Sequence, residues 1–294
     1  SGWHDFMLDQ LLRDYQTLVE MGHTPQLTIG PWVHVASDLQ KESVLQTLSW
    51  MNAKLLGDAT ALPEKPVRIH ISGLDEWRDY DLFPPGPVDS QIWHLHPDKV
   101  LSLRPVRASP PDRYRYDPAD PTPAIGGAMF AFVGAGPVDN APLEKRADVL
   151  GYSSEPLFNP VCIVGNVRVT LFARSSLTNT DFFVRLCDVD EKGISTNICD
   201  GIVRKSSADP AVPDDIWKLS FKMHAAAHVF RRNHRLRILV ASGAHPRYAR
   251  NTGTDEPIGT ATTLAAADIE IFHDPKHPST ITLPVFELEG IGGL

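Results

Sequence analysis

No stretch of this 294-residue chain approaches the ~18 consecutive apolar residues that a membrane-spanning helix requires. An excess of positive charge is missing too. Its 28 Lys and Arg stand against 36 Asp and Glu, a formal charge of −8, which argues against a broad footprint for nucleic acid or anionic lipid. Cysteine is scarce: Cys162, Cys187 and Cys199 are widely spaced, and no Cys-x-x-Cys pair occurs, so neither a zinc site nor a dithiol redox motif is encoded. Buried thiols in a reducing, cytoplasmic setting are the expectation. No signal peptide, internal repeat or low-complexity tract is visible, and the chain opens on Ser1 rather than Met, which fits truncation or processing. One further absence bears on chemistry: there is no Gly-x-Ser-x-Gly pentapeptide, the turn that carries the nucleophile of many serine hydrolases.

Proline and glycine are plentiful, 25 and 20 respectively and well scattered, the texture of short strands joined by turns. The first part differs. Leu8, Leu11, Leu12, Tyr15, Leu18 and Val19 follow helical spacing between Phe6 and Met21, and Gly22 supplies a stop. A short strand, Gln26 to Ile29, is expected to break at Gly30-Pro31. A second helix is expected from Lys41 to Leu56, with Val44, Leu45, Leu48, Met51, Leu55 and Leu56 on its apolar side. Helix, strand, loop, helix is the alternation of an α/β unit. After Pro66 the pattern turns to strands: Val67–Ile71, Gln91–Leu95, Met129–Val133, Asn166–Ala173, Phe182–Asp188, Asn197–Val203, Trp217–Met223, Leu236–Ala241 and Ala267–Phe272. From Ser90 onward no helix intervenes, which predicts a two-sheet antiparallel sandwich of jelly-roll type. The proline-rich stretch Phe83 to Pro87 marks the division into residues 1–85 and 86–294.

Two short motifs carry the candidate chemistry, Gly2-Trp3-His4-Asp5 and Gly30-Pro31-Trp32-Val33-His34. Each puts an ionisable side chain where a strand meets a helix. Asp before His is the order of the last two members of an α/β-hydrolase triad, after the serine. A triad histidine takes the nucleophile's proton and returns it to the leaving group, while the aspartate fixes its tautomer and stabilises the imidazolium. The competing reading of Asp5 is a helix cap, and that of His34 an ordinary loop histidine. His4 is expected to line a pocket or face solvent. His94-x-His96 on a strand and His224-x-x-x-His228 on a helix have metal-like spacing, but neither is accompanied by a suitable carboxylate or cysteine, so no metal is expected. Arg231-Arg232 with Arg235 and Arg237 reads as a solvated or ion-paired edge. Asp75-Glu76-Trp77-Arg78-Asp79 reads as charge pairs and tryptophan packing at the junction.

Together these residues resemble the serine-hydrolase family that includes cocaine esterase, the α-amino-acid ester hydrolases, the glutaryl-cephalosporin acylases and the X-prolyl dipeptidyl-peptidases. The resemblance runs nearly end to end. It starts in the two motifs above and Gly73–Arg78, and continues through Tyr116–Pro121, Asp148–Ser154, Asp181–Leu186 and Asp200–Arg204. It closes in His234–Arg237 and Arg247–Asn251, with a pattern nearer the esterase branch than the peptidase branch.

What the resemblance implies is a mixed fold: the C-terminal remnant of an α/β-hydrolase domain (1–85) followed by an antiparallel jelly-roll β-sandwich (86–294). Asp5 and His34 match the triad Asp and His, no cofactor is called for, and the substrate is a small-molecule ester or amide cleaved through an acyl-enzyme. The nucleophile, the oxyanion-hole donors and the helical cap of the family would lie upstream of Ser1. The chain's missing partner is then that upstream hydrolase segment, and the chain alone is expected to be inactive. The alternative is a non-catalytic jelly-roll binding or interaction module.

Overall fold

A computed structural model of the chain describes residues 1–131, 133–210 and 212–291. The first part comprises β1 (Gly2–His4), α1 (Leu8–Glu20), β2 (Leu27–Val33), α2 (Ser37–Leu55), β3 (Val67–Ile71) and β4 (Glu76–Tyr80). These strands form one four-stranded sheet in the order β1-β2-β3-β4, parallel except for the last pair. Strand β2 does not break at Gly30-Pro31 as the sequence led one to expect. Gly2 pairs with Gly30 and His4 with Val33, so Pro31 and Trp32 face the single residue Trp3 across a bulge. A proline without an amide proton is tolerated there, beyond the end of the β3 ladder at Ile29–Ile69.

Both expected helices form, but they differ in what they bury. Helix α1 buries Leu8, Leu12 and Tyr15. Helix α2 buries none of its residues, and Val44, Leu45, Leu48, Met51 and Leu55 stay exposed. Its apolar side is real in sequence but uncovered in this chain.

The remaining strands are β5 (Asp89–His96), β6 (Val100–Ser102), β7 (Asp112–Tyr116), β8 (Leu150–Ser153), β9 (Val161–Ser175), β10 (Thr180–Val189), β11 (Ser195–Lys205), β12 (Trp217–Phe230), β13 (Arg235–Ala241), β14 (Ala267–Asp274), β15 (His277–Pro278) and β16 (Thr280–Val285). A short α-helix, α3 (Ala141–Glu144), and two single 3-10 turns, Pro97–Lys99 and Pro213–Asp215, lie between them. Two layers emerge. One has the order β11-β10-β13-β8, and the other is built on β5-β16-β9-β14, with β12 paired to β9 and β7 to β14. They are linked through β6 by a single parallel pair, Val100 with Ser153. Tyr152, Phe182, Leu186, Ile238 and Val240 of the first layer pack against Leu95, Ile163, Leu171, Ile269 and Ile281 of the second. Alternation along the strands puts these residues on the two inner faces, as a β-sandwich requires, while β10 is buried on both faces. Of the expected strand at 129–133, residue 132 lies outside the described residues, and the others adopt no strand.

The four-stranded sheet is packed directly on the sandwich. Trp3, Leu8, Leu12, Ile29 and Ile69 share a core with Cys162, Val164, Ala225, Ala227 and Val229 of β9 and β12. The Ser72 amide donates to the Ala227 carbonyl at 3.0 Å, and Val229 returns a hydrogen bond to Ser72 at 2.8 Å. All three cysteines are free and buried in strands. Among the described residues no helix is long and apolar enough to cross a membrane.

Candidate active site

Strands β1 and β2 run parallel, so the residues that follow them emerge side by side at the same end of the sheet. Asp5 follows β1 and His34 follows β2. Asp5 Oδ1 lies 2.9 Å from His34 Nδ1. An ionised carboxylate only accepts hydrogen bonds, so this contact places the ring proton on Nδ1 and leaves Nε2 as the basic nitrogen. Among the described residues none hydrogen-bonds that Nε2.

The aspartate is held from several sides. Its Oδ1 also accepts the Met7 amide at 2.9 Å, and its Oδ2 accepts the Ser1 hydroxyl at 3.1 Å. The turn is closed by backbone bonds from Asp5 to the Gly2 carbonyl and from Leu8 to the Asp5 carbonyl, both 3.1 Å. Asp5 is not the cap of α1, whose N-cap position is Met7 without a side-chain cap; its carboxylate instead closes the turn before the helix and faces the histidine. Its side chain is 5% exposed, whereas that of His34 is 35% exposed. The pair thus has a buried anchor and an open working end.

Two aromatic rings flank His34. Phe6 lies 4.6 Å away between ring centroids and Phe130 5.5 Å away, and the two phenylalanines meet edge to face at 5.8 Å. They also line a cavity of about 510 Å³ whose other walls include His224, Arg247 and Tyr248. In the sequence Phe6 marks only the start of a helix, and Phe130 lies in a stretch expected to be a strand. Nothing in local sequence marks Phe130, because its loop reaches His34 only through the packing of the sandwich.

His4 points away from the pair. It is 7% exposed and lines a separate cavity of about 210 Å³ with Trp3, Ser72, Asn197 and His228. Burial pushes its imidazole down to about 4, against the opposing pull of Asp200; the charges of His228, Arg185 and Arg247 add to the drop.

The other singled-out groups are structural in their contacts. His224 and His228 lie on strand β12, not on a helix, with a bulge between Lys222 and Ala225. His228 Nε2 and His234 Nδ1 share the Asp188 carboxylate at 3.0 and 2.9 Å. His96 Nε2 lies 3.0 Å from the Arg104 carbonyl. Among the described residues no group of three or more His, Cys, Asp or Glu side chains could hold a metal ion. Arg231 donates to the Gly73 carbonyl and Arg237 pairs with Glu144. Trp77 sits between Trp32 and His70, with Arg68 over its ring, while Asp75 bonds His70 at 2.9 Å and Arg78 pairs with Glu76.

Comparison with known proteins gives this geometry a setting. The sequence model of the family described as the X-Pro dipeptidyl-peptidase C-terminal non-catalytic domain matches residues 59–282. Cocaine esterase of Rhodococcus sp. (strain MB1 Bresler) is 31% identical across 98% of this chain and 56% of its own length. An α-amino acid ester hydrolase structure superposes with a TM-score of 0.84 at 24% identity, covering 97% of this chain and 54% of that one. The crystal structure of an aminopeptidase from a marine-sediment Thaumarchaeota archaeon superposes with a TM-score of 0.81 at 23% identity, over 97% and 54%. The chain spans about half the length of the curated relatives it matches. At such identities the two structures speak to the fold alone.

Proposed function

Because this chain belongs to the family of the X-Pro dipeptidyl-peptidase C-terminal non-catalytic domain, we propose that it is the C-terminal portion of a serine hydrolase cleaving ester or amide bonds. In this reading residues 1–85 complete an α/β-hydrolase domain and residues 86–294 form its jelly-roll partner. Asp5 and His34 are the triad Asp and His. The observation that carries it is the 2.9 Å contact between them at the ends of adjacent parallel strands, with the aspartate buried and Nε2 open. Open α/β sheets place their reactive groups at this end of the strands.

The chemistry follows from that tautomer. His34 Nε2 takes the proton of a serine hydroxyl supplied by a segment this chain does not contain. The serine oxygen attacks the carbonyl carbon of the substrate, and the carbonyl electrons move onto its oxygen. Collapse expels the alcohol or amine, which receives the proton from Nε2, and the buried Asp5 stabilises the imidazolium between the two transfers. Water then repeats the sequence on the acyl-enzyme. The uncovered apolar side of α2 and the free edge of β1 also fit a chain that packs against further hydrolase structure.

The test is made on the protein extended by its upstream coding sequence. Hydrolysis of small nitrophenyl esters should fall about 10⁴-fold in Asp5→Asn and by a similar factor in His34→Ala, with circular dichroism unchanged. The chain as described should hydrolyse none of them. Full activity in either variant would remove the assignment, and an extended protein without hydrolase activity would favour an interaction module.

A further inference from the structure

A buried charge cluster lies behind the cavity beside His34, and the proposed chemistry makes no use of it. Its centre is Asp200 on β11, 2% exposed. Asp200 Oδ2 accepts Nε and Nη2 of the fully buried Arg185 at 3.2 and 2.8 Å, and Oδ1 accepts Arg247 Nη1 at 2.6 Å. Burial alone would raise the Asp200 carboxyl, yet Arg247, Arg185 and His224 hold it far below the usual carboxylate range.

Of the partners of Asp200, Arg247 and His224 are walls of the cavity, and Arg185 reaches the ends of the loop that supplies a third. Arg185 Nη1 donates to the Ile125 carbonyl and to Asn140 Oδ1, the two roots of the loop that carries Phe130. Arg247 is itself a wall residue. The Asp200 carbonyl receives His224 Nδ1 at 2.9 Å, and His224 Nε2 reaches Asp9 in the first turn of α1 at 3.2 Å. Burial lowers the His224 imidazole, but the Asp200 hydrogen bond and the Asp200 and Asp9 charges outweigh burial and raise it. That first turn begins just after Asp5.

The loop touches a strand at its far root, where Asp139 bridges Thr196 of β11. It is closed by reciprocal backbone bonds between Gly127 and Gly136, 2.7 and 2.9 Å, and Asn197 Nδ2 grips the Gly136 carbonyl at 3.1 Å. Gly127 has a φ of +81°, and a Cβ there would sit 2.9 Å from Asp200 Oδ2 and 3.1 Å from both Arg185 Nη2 and Arg247 Nη1. The backbone thus approaches the cluster as closely as only glycine allows.

We propose that Asp200 is a positioning residue for the candidate active site: it locks the Phe130 loop, the Arg247 wall and the first turn of α1 into one geometry around His34. This rests on the reading of Asp5 and His34 as the working pair. Its physical basis is that a buried ion pair contributes little net stability compared with apolar packing, whereas its directed hydrogen bonds select one arrangement of the groups that share it. Replace the carboxylate by an amide and one of its two oxygens becomes an NH2 donor, so Arg185 and Arg247 can no longer both be accepted and Arg185 is less firmly aimed at Ile125 and Asn140.

Amide hydrogen exchange on this chain reads the effect without any assay of activity. In Asp200→Asn the Gly127 and Gly136 amides should exchange at least ~10-fold faster, while those of β9 and β10 keep their wild-type rates. Gly127→Ala should do the same from the other side of the contact, and it decides the matter if Asp200→Asn does not fold. In the extended enzyme either variant should raise KM about 10-fold and leave kcat within about twofold, the signature of a displaced binding wall rather than lost chemistry. Unchanged exchange at Gly127 and Gly136 in a folded variant overturns the proposal. Acceleration of the whole core in parallel also overturns it, because Asp200 would then be holding the sandwich and not the loop. If the extended wild-type protein hydrolyses nothing, the hydrolase reading fails while the exchange result still stands or falls by itself.

Discussion

Acid should weaken this fold through His4, and the size of the effect follows from its surroundings. The ring is 7% exposed and held down to about 4 from an ordinary 6.5, burial being the main cause. A lowered folded-state value means that the unfolded chain binds the proton first, so stability is full above about 6.5 and is lost as the pH falls toward 4. With those two values the loss is about 2 kcal/mol at pH 5 and about 3 kcal/mol at pH 4, taking 1.36 kcal/mol per unit. The assay is urea unfolding of the wild type and of His4→Gln at pH 7, 6 and 5. Comparing the change with pH, not the absolute stability, cancels the cost of the buried amide. Carboxylates titrate equally in both proteins, so the wild type should lose about 2 kcal/mol more than the variant between pH 7 and pH 5. Parallel losses would refute the reasoning, since they would mean that His4 is as well hydrated in the native state as in the unfolded chain.

Two further outcomes are expected. Gly2→Ala should destabilise the chain by at least ~1–3 kcal/mol in the same urea assay, because its Cβ would lie 2.1 Å from the Trp32 carbonyl oxygen and force β1 off β2; a fully stable variant would contradict the close pairing on which the Asp5–His34 contact depends. Burial pushes Cys162 and Cys187 up to about 12 and raises Cys199 well above an ordinary thiol, so native protein at pH 8 should react slowly with a disulfide reagent and release three thiols only on denaturation. Rapid stoichiometric labelling of folded protein would show that these strands open locally.

The long strands were legible because their residues alternate and are rich in β-branched and aromatic side chains; Asn166–Ala173 and Phe182–Asp188 lie inside β9 and β10. Strands β6 and β15 leave no signal in the sequence because two or three residues cannot display a period. The proline in β2 misled for a different reason: Pro31 is a strand breaker only where the ladder needs its amide, and the bulge opposite Trp3 removes that need. His224-x-x-x-His228 has helical spacing by coincidence, since the bulge in β12 resets its register.

Sequence alone determined the β-rich class, the burial of the cysteines, the family likeness and the two motifs that hold Asp5 and His34. Those are properties of short windows, set by side-chain period, turn chemistry and residue order. Tertiary structure alone decided that Asp5 and His34 meet at 2.9 Å, that Phe130 crosses from the sandwich to stand beside them, and that α2 keeps its apolar side bare. Distances across the fold depend on which sheets pack together, and that is decided by the summed burial of many residues. No local pattern records it.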